Sequence, residues 1–96
     1  MAGISRTLVT LKPGKMEEFL EMGRGVVDRV PEVPGLIGFG WAQLGDDKVG
    51  IFGIYDNTES AEGAMAVVGD VFADMAPFLA EPPERNVFEG EYFPAK

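Results

Sequence analysis

The apolar positions of the chain repeat one pattern 45 residues apart: Met16, Phe19, Leu20, Gly23, Val27 and Val30 are matched by Ala61, Ala64, Met65, Val68, Phe72 and Met75. Each set is a single helical stripe, because spacings of three and four residues return to the same face of a helix. The segments ahead of the helices follow the same offset, Ile4 onto Val49 and Val9 onto Ile54, so the repeated unit is a strand followed by an amphipathic helix. The first strand is predicted over Ile4 to Leu11, a stretch rich in Thr and Val. Lys12, Pro13 and Gly14 break it. A helix is predicted from Lys15 to Val30, with Glu17 and Glu18 in its first turn and Arg29 in its last, as the helix dipole favours, and Pro31 stops it.

Val33, Pro34 and Gly35 turn the chain into a second strand, Leu36 to Leu44, which Gly45, Asp46, Asp47 and Lys48 fold back onto a third, Val49 to Tyr55. Asp56 and Asn57 are the candidate caps of the second helix, and Glu59 stands in capping-box spacing from Asp56. That helix is predicted to hold to Met75. Pro77 makes Ala76 to Ala80 a separate turn, Glu81 to Glu84 reads as a connector, and Val87 to Phe93 supplies the fourth strand. Strand, helix, strand, strand, helix, strand predicts an α+β fold of the ferredoxin-like split kind, one domain over residues 1–96. Its four-stranded antiparallel sheet carries both helices on one face and leaves the other bare.

Composition adds a reason to cover that face. Of the 96 residues 46% are apolar, with seven Phe, one Trp and two Tyr, more than two thin helices on one side of a sheet can bury. A homodimer closed through the sheet faces is therefore expected. Sixteen acidic against eight basic residues give a net charge of −8, which argues against nucleic acid and membrane surfaces as partners. There is no histidine and no cysteine, which removes disulfides, thiolate nucleophiles, imidazole bases and the usual proximal haem ligand. The opening MAGISRTLVTLK has no basic segment followed by a long apolar run, and no stretch reaches membrane-span length, so a soluble cytoplasmic protein is expected.

Individual residues leave alternatives open. Strict alternation puts Phe39, Trp41 and Gln43 on one face of the second strand and Leu36, Gly38, Gly40, Ala42 and Leu44 on the other. Trp41 then either walls a flat ligand, with Gln43 fixing the ligand's orientation, or packs in the core or the dimer interface. Arg6, a charge in a central strand, needs a partner: a ligand carboxylate, or Glu89 or Glu91 of the fourth strand. Glu89 and Glu91 in alternation either hold a cation or deter edge pairing. Thr7, Trp41 and Tyr55 come from three strands of one small sheet, and each joins contact surface to a hydrogen-bonding group. That mix suits a mostly apolar pocket with few polar anchors, and these three are the candidate substrate-binding residues.

Leu11, Lys12, Pro13, Gly14 and Lys15 leading into Glu18, Phe19 and Leu20, then Val33, Pro34 and Gly35, then Ile54, Tyr55 and Asp56 before an Ala-rich helix, resemble the antibiotic biosynthesis monooxygenase-like proteins of the dimeric α+β barrel superfamily. The closing run of Glu81, Pro82, Pro83 and Glu84, then Glu89, Gly90 and Glu91, resembles an uncharacterised branch of that group. The resemblance implies two chains joined by their bare sheet faces, ligand cavities inside, and Tyr55 as a cavity aromatic. It also marks departures. Enzymatic members often carry a Glu two residues before the strand-three aromatic and a His in the second helix, where this chain has Gly53 and Ala64. Haem-degrading relatives place an Asn where this chain has Thr7 and use a helical His.

Three classes stay open. The first, to which the resemblance points, is a cofactor-independent monooxygenase acting on a small aromatic or polyketide-like molecule, with no cofactor implied and no catalytic residue assigned. The second is a noncatalytic small-molecule binder. The third is a structural homodimer whose barrel is filled by its own side chains.

Overall fold

Two Pro-Gly dipeptides set the first turns. In Lys12–Lys15 and in Val33–Leu36 the proline holds the second position and the glycine the third, with φ +79° at both Gly14 and Gly35. The fourth N–H donates to the first carbonyl at 3.3 Å in each, Lys15 to Lys12 and Leu36 to Val33. A positive φ at the third position is the turn geometry that calls for glycine. The computed structural model describes residues 1–28 and 33–95. Its elements are β1 (Ala2–Thr10), α1 (Met16–Gly25), β2 (Leu36–Gly45), β3 (Lys48–Tyr55), α2 (Thr58–Gly63), α3 (Met65–Met75) and β4 (Glu84–Gly90). The antiparallel sheet has the order β2-β3-β1-β4, which is the ferredoxin-like α+β arrangement.

Several boundaries differ from the sequence pattern, each for a local reason. The first helix ends at Gly25 rather than Val30; Gly23 and Gly25 within its last three residues weaken it, and the expected stop at Pro31 lies outside the described residues. The second helix is two pieces, α2 and α3, that meet at Ala64 just after Gly63. Asn57, not Asp56, caps it: the Ser60 N–H donates to Asn57 Oδ1 at 2.7 Å. Pro77 does sit in a separate 3₁₀ turn, Ala76–Phe78. β4 starts three residues earlier than expected and stops at Gly90, whose partner is Ala2, because β1 offers no further residue to pair.

The registers arrange the sheet in rows across its strands. Facing the helices are Arg85, Thr7, Ile51 and Trp41 in one row and Val87, Ser5, Gly53 and Phe39 in the next. The alternate burial of β1 marks this face, since Gly3, Ser5, Thr7 and Val9 are buried. The 45-residue offset therefore slips by one in the strands: Val49 faces the helices and Ile4 does not. In the helices it holds best at Phe19 and Ala64, both buried, and fails at Val27, which is exposed. A bulge at Ile37 brings Leu36 opposite Tyr55, onto the helix side with Phe39 and Trp41, against strict alternation.

The core has two centres on the helix side. Val9, Leu11, Phe19, Val49 and Met75 form one, with Phe78 edge-on to Phe19. Val33, Tyr55, Ala61 and Ala64 form the other. At the second centre α2 lies close on β1 because only small residues meet there: a Cβ on Gly3 would strike the Asn57 carbonyl and come within 2.8 Å of the Thr58 Cα. The far face of the sheet keeps Phe52, Phe88 and Leu44 exposed.

Gly3→Ala is expected to lower stability by about 1–3 kcal/mol, since the obstruction is backbone and cannot swing aside. Gly69→Ala, mid-helix with nothing near the added Cβ, is expected to raise it by about 0.5–1 kcal/mol. Denaturant unfolding of the two variants reads both signs.

Candidate functional site

The helix layer touches down unevenly, and a cavity lies where it stands away from the sheet. α2, with Ala61 and Ala64 underneath, packs on β1, β3 and β4. α1 and α3 present the larger Phe19, Leu20, Val68 and Phe72 and roof a space of about 1000 Å³ over β1 and β3. Its floor is the row of Arg85, Thr7, Ile51 and Trp41 together with Ser5, Gly53, Phe39 and Tyr55.

Thr7, Trp41 and Tyr55 all line this one cavity. Thr7 and Tyr55 are buried, whereas Trp41 is 47% exposed at the edge strand, so it forms the cavity's rim and is not a core residue. Gln43 lies outside the cavity: its side-chain amide donates to the Gly45 carbonyl at 3.1 Å and serves its own hairpin. Among the described residues no hydrogen bond uses the hydroxyls of Ser5, Thr7 or Tyr55, or the Trp41 indole N–H. All four residues line the cavity.

Gly53 controls where the Tyr55 ring lies. A Cβ at position 53 would come within 2.8 Å of Ser5 Oγ and 3.0 Å of Tyr55 Cε1, so the ring and the hydroxyl occupy the space a side chain there would need. Ala64 is 2% exposed at the seat of α2, where an imidazole has no room. The space at position 53 is taken by Tyr55 and Ser5, and Ala64 is buried in the same core cluster as Tyr55.

The sequence pattern did not single out Arg85, which falls between a connector ending at Glu84 and a fourth strand expected to start at Val87. With β4 starting at Glu84, alternation puts Arg85 opposite Thr7 and on the cavity floor. Its guanidinium donates to the Ala61 carbonyl at 2.7 Å, at the C-terminal end of α2, where a cation also suits the helix dipole. Further N–H groups of the fork remain for the cavity.

Arg6 belongs to the opposite face. It does not line the cavity and does not meet Glu89 or Glu91; its Nη2 donates to Asn86 Oδ1 at 3.4 Å and its guanidinium carbon lies 5.7 Å from the Phe88 ring centre. Glu91 is past the end of β4, so the expected alternation of Glu89 and Glu91 ends with the strand, and among the described residues no acidic cluster is placed to hold a metal ion. No helix among them is long and apolar enough to cross a membrane.

These features define a ferredoxin-like α+β protein with a mostly apolar cavity of about 1000 Å³ between its helices and sheet. No sequence-family profile and no curated protein matches the chain. Solved structures do. A protein of Nitrosomonas europaea, provisionally named an antibiotic biosynthesis monooxygenase, is 20% identical with a TM-score of 0.79, over 95% of this chain and 91% of its own. SnoaB of Streptomyces nogalater, a cofactor-independent oxygenase, is 12% identical with a TM-score of 0.76, over 96% and 95%. A Streptomyces coelicolor monooxygenase, solved in complex with nanaomycin D, is 17% identical with a TM-score of 0.75, over 98% and 93%. The chain has the fold of the antibiotic biosynthesis monooxygenase-like proteins, as its motifs suggested.

The rim position of Trp41 changes what its loss should do. Trp41→Ala is expected to cost about 1–2 kcal/mol, below the roughly 3–5 kcal/mol of a fully buried aromatic, whereas Tyr55→Ala should cost that larger amount. Thermal or denaturant melts of the two variants separate them.

Proposed function

We propose that the cavity binds a small, flat aromatic or polyketide-like molecule and that the protein is a cofactor-independent monooxygenase-like enzyme, cytoplasmic and homodimeric. The observation that carries this reading is the cavity floor, where Thr7, Tyr55 and Trp41 offer unused hydrogen-bonding groups around an apolar space of about 1000 Å³. Trp41 and Phe39 give a flat ligand two faces to lie on. Thr7, Ser5 and Tyr55 anchor its oxygens, and Arg85 sets a positive charge at the same floor.

Such a site suits chemistry in which the substrate itself supplies the electrons. A ring CH₂ flanked by carbonyl or phenol groups loses a proton to give a carbanion, whose negative charge spreads onto the ring oxygens. Hydroxyl donors and a guanidinium aimed at those oxygens stabilise the anion. The anion reduces O₂, a carbon–oxygen bond forms, and the O–O bond breaks. One oxygen atom stays as the new carbonyl and the other leaves as water carrying the two hydrogens of the CH₂, so CH₂ and O₂ become C=O and H₂O. The residues hold and orient the substrate and exclude water from the reacting carbon.

A second reading, a noncatalytic binder using the same cavity, is favoured by Gly53 and Ala64, which stand where the enzymatic members carry Glu and His. Oxygen consumption separates the two: turnover of a quinol or anthrone panel supports the oxygenase, and tight binding without oxygen uptake leaves the binder.

Titration of the Trp41 fluorescence with quinones and flavonoids is expected to show saturable quenching. Tyr55→Phe should keep the fold and weaken binding by about 0.5–1.5 kcal/mol, the worth of one neutral hydrogen bond. Arg85→Met should weaken anionic ligands more than neutral ones, because a hydrogen bond to a charged group is worth about 1.5–3 kcal/mol. No fluorescence response across the panel would remove the ligand cavity from the reading.

A further inference from the structure

The bare face of the sheet holds a guanidinium, that of Arg6, which no carboxylate among the described residues meets. Across β3, β1 and β4 the registers place Phe52, Arg6 and Asn86 in one row, with Ile54, Ile4 and Phe88 on one side of it and Gly50, Leu8 and Glu84 on the other. Arg6 Nε is buried without a hydrogen-bond partner, and its contacts are the long bond to Asn86 and the Phe88 ring. The ion pairs of the described residues, Lys15 with Glu18 and Arg24 with Glu21, are both on the first helix and its approach. Glu84, exposed and one row from Arg6, is in neither. Besides these two, alternation brings only Lys48, at the hairpin end of β3, onto the strands of this face as a charge.

Covering this face strips water from Arg6, and a buried guanidinium is tolerated only when a carboxylate or several acceptors meet it. The face also carries exposed Phe52, Phe88 and Leu44, which favour covering it. In a two-fold interface the same patch meets itself, so a residue of one copy meets a second residue of the other and the reverse contact is made as well. A face with one unpaired guanidinium near its middle and one carboxylate in the neighbouring row is self-complementary under that operation. We infer that Arg6 of one copy pairs with Glu84 of a second copy, and Glu84 with Arg6, and that this reciprocal ion pair sets the register in which two sheets meet. The inference rests on the homodimer proposed above.

The test uses charge reversals and mixing. Arg6→Glu sets Glu against Glu at both contacts of its homodimer, and Glu84→Arg sets Arg against Arg, so each variant alone should dimerise at least tenfold more weakly than the unmodified chain in sedimentation equilibrium. An equimolar mixture of the two variants should regain most of the affinity as heterodimers, because both contacts then oppose unlike charges. Native mass spectrometry with a mass tag on one variant identifies that species. An ion pair within one chain gives no such rescue, since each chain carries its own like-charge contact into the mixture. A mixture no tighter than its components, or single variants that dimerise like the unmodified chain, overturns the inference. If a reversal fails to fold by circular dichroism, Arg6→Met and Glu84→Gln replace it: a double variant no weaker than either single supports the pair, and additive losses overturn it. A monomeric unmodified chain at micromolar concentration removes the homodimer reading itself, whereas an intact dimer without rescue removes the ion pair alone.

Discussion

The close seat of α2 on β1 is the constraint on which the rest of the molecule depends. A six-residue helix has almost no stability of its own, so it persists because its tertiary contacts and its cap hold it. Ala61 and Ala64 lie beneath it, Asn57 closes its first turn, and the absent side chain at Gly3 lets its start press against the strand. Arg85 takes the Ala61 carbonyl near its other end. With one part of the helix layer fixed that near to the sheet, the bulkier α1 and α3 stand farther from it and reach its core through Phe19 and Met75. The cavity is the space left between a low anchor and a high one.

The strands serve two surfaces with one backbone. In β1 the residues Ser5, Thr7 and Val9 look toward the helices while Ile4, Arg6 and Leu8 look away, so each alternate position answers to a different chemistry. The same division explains Gly53. Its neighbours Phe52 and Ile54 belong to the bare face, and the lack of a side chain at 53 gives Tyr55 room to lie back toward Ser5. A Glu at that position would have to displace the Tyr55 ring or Ser5. Tyr55 stands there as the aromatic that shapes the floor, and the polar equipment of the cavity shifts to hydroxyls and to Arg85.

The elements, their order and the bare sheet face were legible in the sequence because they rest on strong local signals: apolar stripes at helical spacing, Pro-Gly turns, and a run of Val and Thr in β1. Thr7, Trp41 and Tyr55 could be singled out by residue type, as contact surfaces that each carry a hydrogen-bonding group; their meeting along one cavity comes from the strand registers. What failed depends on register, which a single chain does not display. β4 lost three residues at one end and gained three at the other, because its limits are set by where β1 begins and not by its own composition. That slip hid Arg85 and Glu84 and made Glu89 look like a partner for Arg6. The bulge at Ile37 moved Leu36 across the sheet for a similar reason, since one extra residue inverts every side chain beyond it. The 45-residue repeat held in the helices at Phe19 and Ala64, failed at Val27 beyond the end of α1, and misled by one position in the strands.

Under the proposed function the floor of the cavity also limits what a ligand must be. Ser5, Thr7, Tyr55 and Trp41 each supply a donor and Arg85 supplies a charge, while the acidic groups of the lining, Asp70 and Asp74, are carried by α3 in the roof. A floor rich in donors favours a molecule that brings acceptor oxygens on a flat body, which describes hydroxylated and carbonyl-bearing aromatics better than amines or hydrocarbons. Under the proposed function the same arrangement selects among those aromatics by reactivity. A substrate whose anion is delocalised onto ring oxygens is stabilised at the positions where the donors converge, and one whose anion stays on carbon gains nothing from them. Binding preference and reactivity then follow from one set of side chains, and a chain without histidine or cysteine needs no dedicated nucleophile to favour one aromatic over another.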